Sequence, residues 1–451
     1  MTESTLQMKA RFDRTLVRQQ HTSVRYLVVE ATAPSPEQND REQPPLNLGV
    51  VIDASGSMEG HDGAGVSGLD LSRLEAAQQA SVGIVENLDA CDTLSLVSFA
   101  DEAICHLAAT GLNAQGKHVA SSTIGELSTR GMTNLHDGWL EGAEQVALQQ
   151  TRHPEGIHRL LVLTDGCANQ GVVDADELAQ MAAGLSARGI STSTVGIGVD
   201  YSTEQIEPMA EHGGGMLHHT ERPSDIIEVV LAELKNMRAT VIDDLEVEVG
   251  MDGDGTVGGE GVSMELIGLV ERSSARGCRA VLGSLVGNAA RRAVFRVHVP
   301  AGCQEPLRFR IEASWRGVDG RESVQCEAAL MPDHDDGVYT EAWNQEVCAE
   351  AARVWQADII RQALAFNRVD DYAGAKHFAR QQKRYFSHYA KRLDEGEALF
   401  LKLERALRRM SRPMREHARK EIGTAMLKQE RGESDYRVSE APAAWDEYLK
   451  E

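Results

Sequence analysis

At 451 residues the chain is longer than one compact core usually accommodates, so two or three domains are expected. With 42% hydrophobic and 25% charged residues, and no apolar run of bilayer length, the composition excludes a helical membrane protein. The formal net charge of −23 is unevenly spread: residues 1–375 carry 28 Lys and Arg against 56 Asp and Glu, residues 376–431 carry 16 against 7, and residues 432–451 carry 2 against 6. An acidic body of this size disfavours non-specific binding to nucleic acid or to an anionic membrane. The opening stretch MTESTLQMKARFDRTLV has no apolar core of the kind a secretory leader needs. Seven cysteines, odd in number and without a CxxC pair, fit reduced thiols and a cytoplasmic protein.

Thr22 to Ala31 (TSVRYLVVEA) predicts a strand from its β-branched residues and Tyr26. A lone strand must join a sheet elsewhere. Pro34, Pro36, Pro44 and Pro45, set among polar residues, predict an extended linker, so that 1–45 is an N-terminal strand plus linker. Leu46 to Met58 (LNLGVVIDASGSM) begins as an apolar run, which predicts a strand buried on both faces of a parallel sheet. It then breaks into Asp53, Ser55 and Ser57, one carboxylate and two hydroxyls at alternate positions. These hard oxygen donors suit magnesium or manganese better than zinc or copper, and they stand where open parallel sheets place their ligands. Read alone, the triplet also fits a serine-rich turn that caps the next helix, with Asp53 satisfied by backbone amides.

Strands and helices alternate from 46 to 238, which predicts a doubly wound sheet. Helices are expected at Leu69–Leu88, His136–Leu148, Asp174–Arg188, Thr203–His212 and Pro223–Arg238. Strands are expected at Thr93–Phe99, Ala103–Leu107, Ile190–Gly198 and Gly215–His219. Leu160 to Gly166 (LLVLTDG) repeats the pattern of a buried strand followed by a carboxylate, Asp165. Between Met58 and Leu69, Gly60, Gly63, Gly65 and Gly68 make a loop that lacks the GK[ST] of a phosphate loop; its His61 and Asp62 read as solvated residues. Residues 239–335 shift to short alternating segments, Leu245–Val249, Ser263–Leu269, Arg292–Val299, Leu307–Ser314 and Ser323–Leu330. They predict an antiparallel β-sandwich. Residues 336–431 predict four helices with an apolar stripe through Trp343, Val347, Trp355 and Phe366, and 432–451 a disordered acidic tail.

The order of Asp53, Ser55 and Ser57 after a buried strand resembles the metal-ion-dependent adhesion site of the von Willebrand factor A family, in its intracellular bacterial form. On that resemblance Gly131-Met132-Thr133-Asn134 is the family's threonine loop, and the metal ligands are Asp53, Ser55, Ser57, Thr133 and Asp165. The resemblance runs from about 46 to 238 and implies a Rossmann-like, mostly parallel sheet. It also implies a Mg²⁺ ion (or Mn²⁺ or Ca²⁺) that a partner protein's Asp or Glu completes, with no catalytic residue. Bacterial relatives of this kind carry a sandwich after the A domain that accepts a strand from before it, for which Thr22–Ala31 is the donor. Such relatives often work beside AAA+ ATPases or in signalling assemblies. The glycine-rich loop is longer than the turn usual in the family.

Two other functions compete. A metal-dependent phosphoester hydrolase of the dehalogenase type needs a second carboxylate two residues after the first, and Ser55 stands there. His136 reads as a solvent-facing residue at a helix start and Cys167 as a small packing residue, neither with an evident catalytic companion. Nucleic-acid binding would fall to Lys402, Arg405, Arg408, Arg409, Arg412, Arg415, Arg419 and Lys420, which read more simply as a solvated face.

Overall fold

A computed structural model of the chain describes residues 6–35, 44–61, 71–198, 201–220, 222–253, 255–257, 259–273, 277–317 and 320–431. The expected tail 432–451, Pro36 and most of the glycine-rich loop, Asp62 included, lie outside the described residues. The N-terminal strands are β1 (Gln7–Phe12), β2 (Leu16–Arg18) and β3 (Ser23–Thr32). An alternating stretch follows: β4 (Leu46–Asp53), α1 (Arg73–Asn87), β5 (Thr93–Phe99), β6 (Ala103–Gly111), α2 (Ala114–Gly125), α3 (Leu135–Arg152), β7 (Ile157–Thr164), α4 (Ala175–Ala187), β8 (Ile190–Ile197), α5 (Thr203–His212), β9 (Gly214–Thr220) and α6 (Pro223–Arg238). Then come β10 (Thr240–Met251), β11 (Thr256–Val257), β12 (Glu260–Gly261), β13 (Ser263–Ile267), β14 (Glu271–Ser273), β15 (Gly277–Val286), β16 (Ala290–Val299), β17 (Leu307–Gly317) and β18 (Gly320–Asp333). The chain closes on α7 (Asp335–Thr340), α8 (Gln345–Arg368), α9 (Tyr372–Ala390), α10 (Gly396–Met410) and α11 (Glu416–Glu430). It divides into two compact units, residues 40–243 and residues 1–39 with 244–451.

In the first unit six strands run in the order β6-β5-β4-β7-β8-β9, all parallel except the β5/β6 pair. Every residue of β4, β7 and β8 is buried, as the apolar runs of β4 and β7 predict; β8 is buried although Ser191–Thr194 are polar. One face of β4 packs Leu48, Val50 and Ile52 with Ile84 of α1 and Val230 of α6. On the other face α3 approaches closely, because a Cβ at Gly142 would lie 2.4 Å from Val51 and one at Gly138 would meet Phe99 at 2.5 Å. β4 lies between β5 and β7, so the chain leaves it on one side and returns on the other. That switch point opens a crevice at the carboxyl ends of β4 and β7.

In the first unit two helices differ from the sequence reading. α1 begins at Arg73, four residues later than expected, because Ser72 and Glu75 form a reciprocal capping box. The helix α2 was not expected: Asn113 caps it, but Gly116, Gly125 and several polar residues hide its period.

The second unit holds a four-stranded sheet, β1-β3-β16-β13, and a six-stranded one, β14-β15-β10-β17-β18-β2. β3, the strand expected at Thr22–Ala31, pairs antiparallel with β1 and with β16 over Ser23–Thr32. The two sheets meet in part through Phe12 and Phe309, whose rings are 5.3 Å apart. The pairing is not purely antiparallel: β2 runs parallel to β18 at the edge of the larger sheet. The helical region packs on the smaller sheet, where Tyr26, Val28, Ile267 and Val294 meet Val347, Ala351, Trp355 and Ile359 of α8.

Candidate metal centre

Asp53 is the last residue of β4 and fully buried. Its Oδ1 accepts from the Ser55 backbone N–H at 2.8 Å and its Oδ2 from Thr164 Oγ1 at 2.6 Å. The chain then tightens into a 3₁₀ turn, Gly56–Glu59, which presents Ser55 and Ser57 to one side with their hydroxyls 3.0 Å apart. Ser57 Oγ donates to Asp165 Oδ1 at 2.7 Å, which links the end of β4 to the residue that follows β7. Asp165 is fully buried as well, and its Oδ2 accepts from Arg73 Nη1 at 2.7 Å.

The loop before α3 closes over this turn. Arg130 N donates to Ala54 O at 2.6 Å, Gly56 N to Gly131 O at 3.3 Å and Asn134 N to Ala100 O at 2.8 Å. Gly131 has φ +54, and a Cβ there would overlap the Asp101 carboxylate, so the loop requires glycine at that point. The result places Thr133 beside Gly166: a Cβ on Gly166 would lie 3.4 Å from Thr133 Oγ1 and 3.8 Å from Asp53 Oδ2. Asp53, Ser55, Ser57, Thr133 and Asp165 are thus brought to one crevice by three separate segments of chain. Each of them except Ser57 is nearly or fully buried.

Burial pushes the Asp53 carboxyl up to about 6, against the hydrogen bonds from Ser55 and Thr164, and the neighbouring Asp165 pushes it the same way. Two buried carboxylates side by side, three hydroxyls and a space over Gly166 fit a small hard cation.

Other expected features stand differently. His136 is partly buried, with Nδ1 2.9 Å from Asp137 Oδ1, so it is neither solvent-facing nor without an orienting carboxylate. Cys167 is exposed and therefore not a packing residue. His61 is exposed. Sequence reasoning missed Thr164 and Arg73. Thr164 was within reach, since it lies between the apolar run of β7 and Asp165; Arg73 stood in a predicted helix with nothing to mark its direction.

The profile described as von Willebrand factor type A domain matches residues 47–230. Residues 47–230 are a von Willebrand factor type A domain. The A domain is similar to YfbK of Escherichia coli K12, 27% identical over 214 residues, which covers 47% of this chain and 35% of that protein. It is also similar to sll0103 of Synechocystis, 26% identical over 206 residues, which covers 46% of this chain and 44% of that protein. The chain therefore spans less than half the length of these relatives. Two solved structures share the fold beyond the A domain. One is a von Willebrand factor type A protein from Catenulispora acidiphila, with TM-score 0.62 and 16% identity over 81% of this chain and 82% of that one. The other is VWA2, the ArnB paralog of Sulfolobus acidocaldarius, with TM-score 0.61 and 12% identity over 95% of this chain and 99% of that one.

Proposed function

We infer that the A domain binds a protein partner through one divalent cation, held by Asp53, Ser55, Ser57, Thr133 and Asp165, with Mg²⁺ the first choice over Mn²⁺ and Ca²⁺. The observation that carries this reading is the meeting of the five oxygen-bearing side chains in the crevice at the ends of β4 and β7. The cation, when bound, supplies a Lewis-acid position that a carboxylate can fill. The residues do the rest: Ser55, Ser57 and Thr133 offer neutral oxygens, so only Asp53 and Asp165 bring negative charge. A site with so few anionic ligands favours an Asp or Glu side chain from outside. No nucleophile or general base is needed, which supports a binding module and not an enzyme. The hydrolase alternative draws no support from the site, since Ser55 takes the place of its acid–base carboxylate.

Seven free thiols support a cytoplasmic setting, and among the described residues no helix is long and apolar enough to cross a membrane. An AAA+ ATPase or a signalling assembly is the class of partner proposed. Calorimetry with Mg²⁺ should detect one site in the wild type and none in Asp53→Ala. Affinity capture from native lysate should retain the same partner with Mg²⁺ and lose it with EDTA. Equal Mg²⁺ affinity in wild type and Asp53→Ala would refute the reading.

A further inference from the structure

Arg73 opens α1, and its backbone N–H donates to Gly60 O at 3.0 Å. That bond pins the helix start to the end of the turn that carries Ser57, and the Ser72–Glu75 capping box holds it there. From this fixed base the side chain reaches back to Asp165. The ion pair spans 92 positions of sequence, with only 8% of the Arg73 side chain and none of the Asp165 side chain exposed. The guanidinium runs along two glycines. A Cβ at Gly60 would lie 3.4 Å from Arg73 Cζ, and a Cβ at Gly198 would lie 2.9 Å from Nη2. A larger residue at Gly198 would press on the guanidinium, and that glycine also sits at φ +71.

A buried ion pair is weak as a source of stability, because desolvating both charges offsets most of their attraction. Its position suggests another use. Asp165 Oδ1 faces Ser57 while Oδ2 is taken by Arg73, so the pair fixes which oxygen turns toward the other four residues. Groups behind a metal ligand commonly set its orientation and its charge. We propose that Arg73 is a positioning residue that trades cation affinity for anion affinity: it locks Asp165 and offsets one of the site's two negative charges. Counting Asp53, Asp165 and Arg73, a bound divalent ion keeps one positive charge in excess. The ion is then held loosely alone and firmly once an anionic side chain joins it. This rests on the metal-dependent reading of the site and adds what sets its preference for a carboxylate.

The test uses the full chain and Mg²⁺ alone. Arg73→Gln removes the charge and should tighten Mg²⁺ binding by on the order of tenfold, since a nearby positive charge opposes a cation directly. Arg73→Lys keeps the charge and should bind Mg²⁺ close to the wild type. Arg73→Met, which keeps the packing of the stem, is read in the same way as Arg73→Gln. A merely structural role for the pair predicts the opposite pattern, with every variant weakened. The proposal is overturned if a neutral variant with native circular dichroism binds Mg²⁺ no more tightly than the wild type, or if neither neutral variant folds. Asp53→Ala separates the two readings. If it binds Mg²⁺ like the wild type, the site itself has failed; if it does not while Arg73→Gln is unchanged, only the role of Arg73 has.

Discussion

Asp53 concentrates the conflict in the site, because the carboxylate proposed to hold a cation is buried where its charge is costly. An ordinary carboxyl near 3.8 is lifted to about 6 by that burial, so the folded chain holds the proton more tightly than the unfolded chain does. The cost is absent at low pH, grows as pH rises from the ordinary range toward 6, and is complete above it. From the shift it amounts to about 3 kcal/mol at most. Asp53→Asn is therefore expected to raise the melting temperature of the metal-free protein at pH 7.5 and to change it little at pH 4, while losing Mg²⁺ binding. A variant less stable than wild type at pH 7.5 in EDTA would contradict this. The serines and carboxylates were legible because each follows an apolar run directly in sequence. Arg73 was not, since only the folded chain brings it to Asp165, and neither helical periodicity nor spacing records which way a residue at a helix start will point.

The elements that were legible are those whose period survives in the residues themselves. β4 and β7 carry apolar runs, Leu48–Ile52 and Leu160–Leu163, and α5 and α6 match their expected bounds to the residue. The strands β1 (QMKARF) and β15 (GCRAVLGSLV) were missed: β1 does alternate, with Met8, Ala10 and Phe12 between polar residues, but over only six positions, and in β15 Gly283 and Ser284 interrupt the pattern. Neighbouring strands and not local preference decide such segments. The aromatic stripe of the helical region meets the smaller sheet in part: the Trp355 ring lies 5.7 Å from Tyr26, while Phe366 packs 5.7 Å from Phe378 of α9. Trp355→Ala should cost about 3–5 kcal/mol, the usual range for a buried aromatic. Denaturant unfolding would show the loss, and Mg²⁺ calorimetry on the folded variant should be unchanged, because Trp355 belongs to the unit without the metal site.

Across the whole molecule the two units depend on different stretches of chain. β3 is an interior strand of its sheet, with β1 on one side and β16 on the other. Removing residues 1–35 strips both β1 and β3 and bares Val294 and Phe295 of β16, so the shortened protein 36–451 should aggregate. Size-exclusion chromatography with light scattering reads that outcome, and a melting curve like that of the full chain would count against it. Residues 40–243 alone should stay monomeric and keep their Mg²⁺ affinity, since the five site residues and their partners all lie within them.

The pairing of β3 with β16 also sets a timetable on the ribosome. Ser23–Thr32 is made early, yet the strand it needs, Ala290–Val299, comes only after the entire A domain. At about 5–20 residues per second, the nascent β3 waits on the order of ten to fifty seconds for its neighbour. During that interval only β1 can shield it, along one edge, while Leu27, Val28 and Val29 remain uncovered. Residues 40–243 can fold as they emerge, so a finished A domain would stand beside an unpaired β3 until Ala290–Val299 is made.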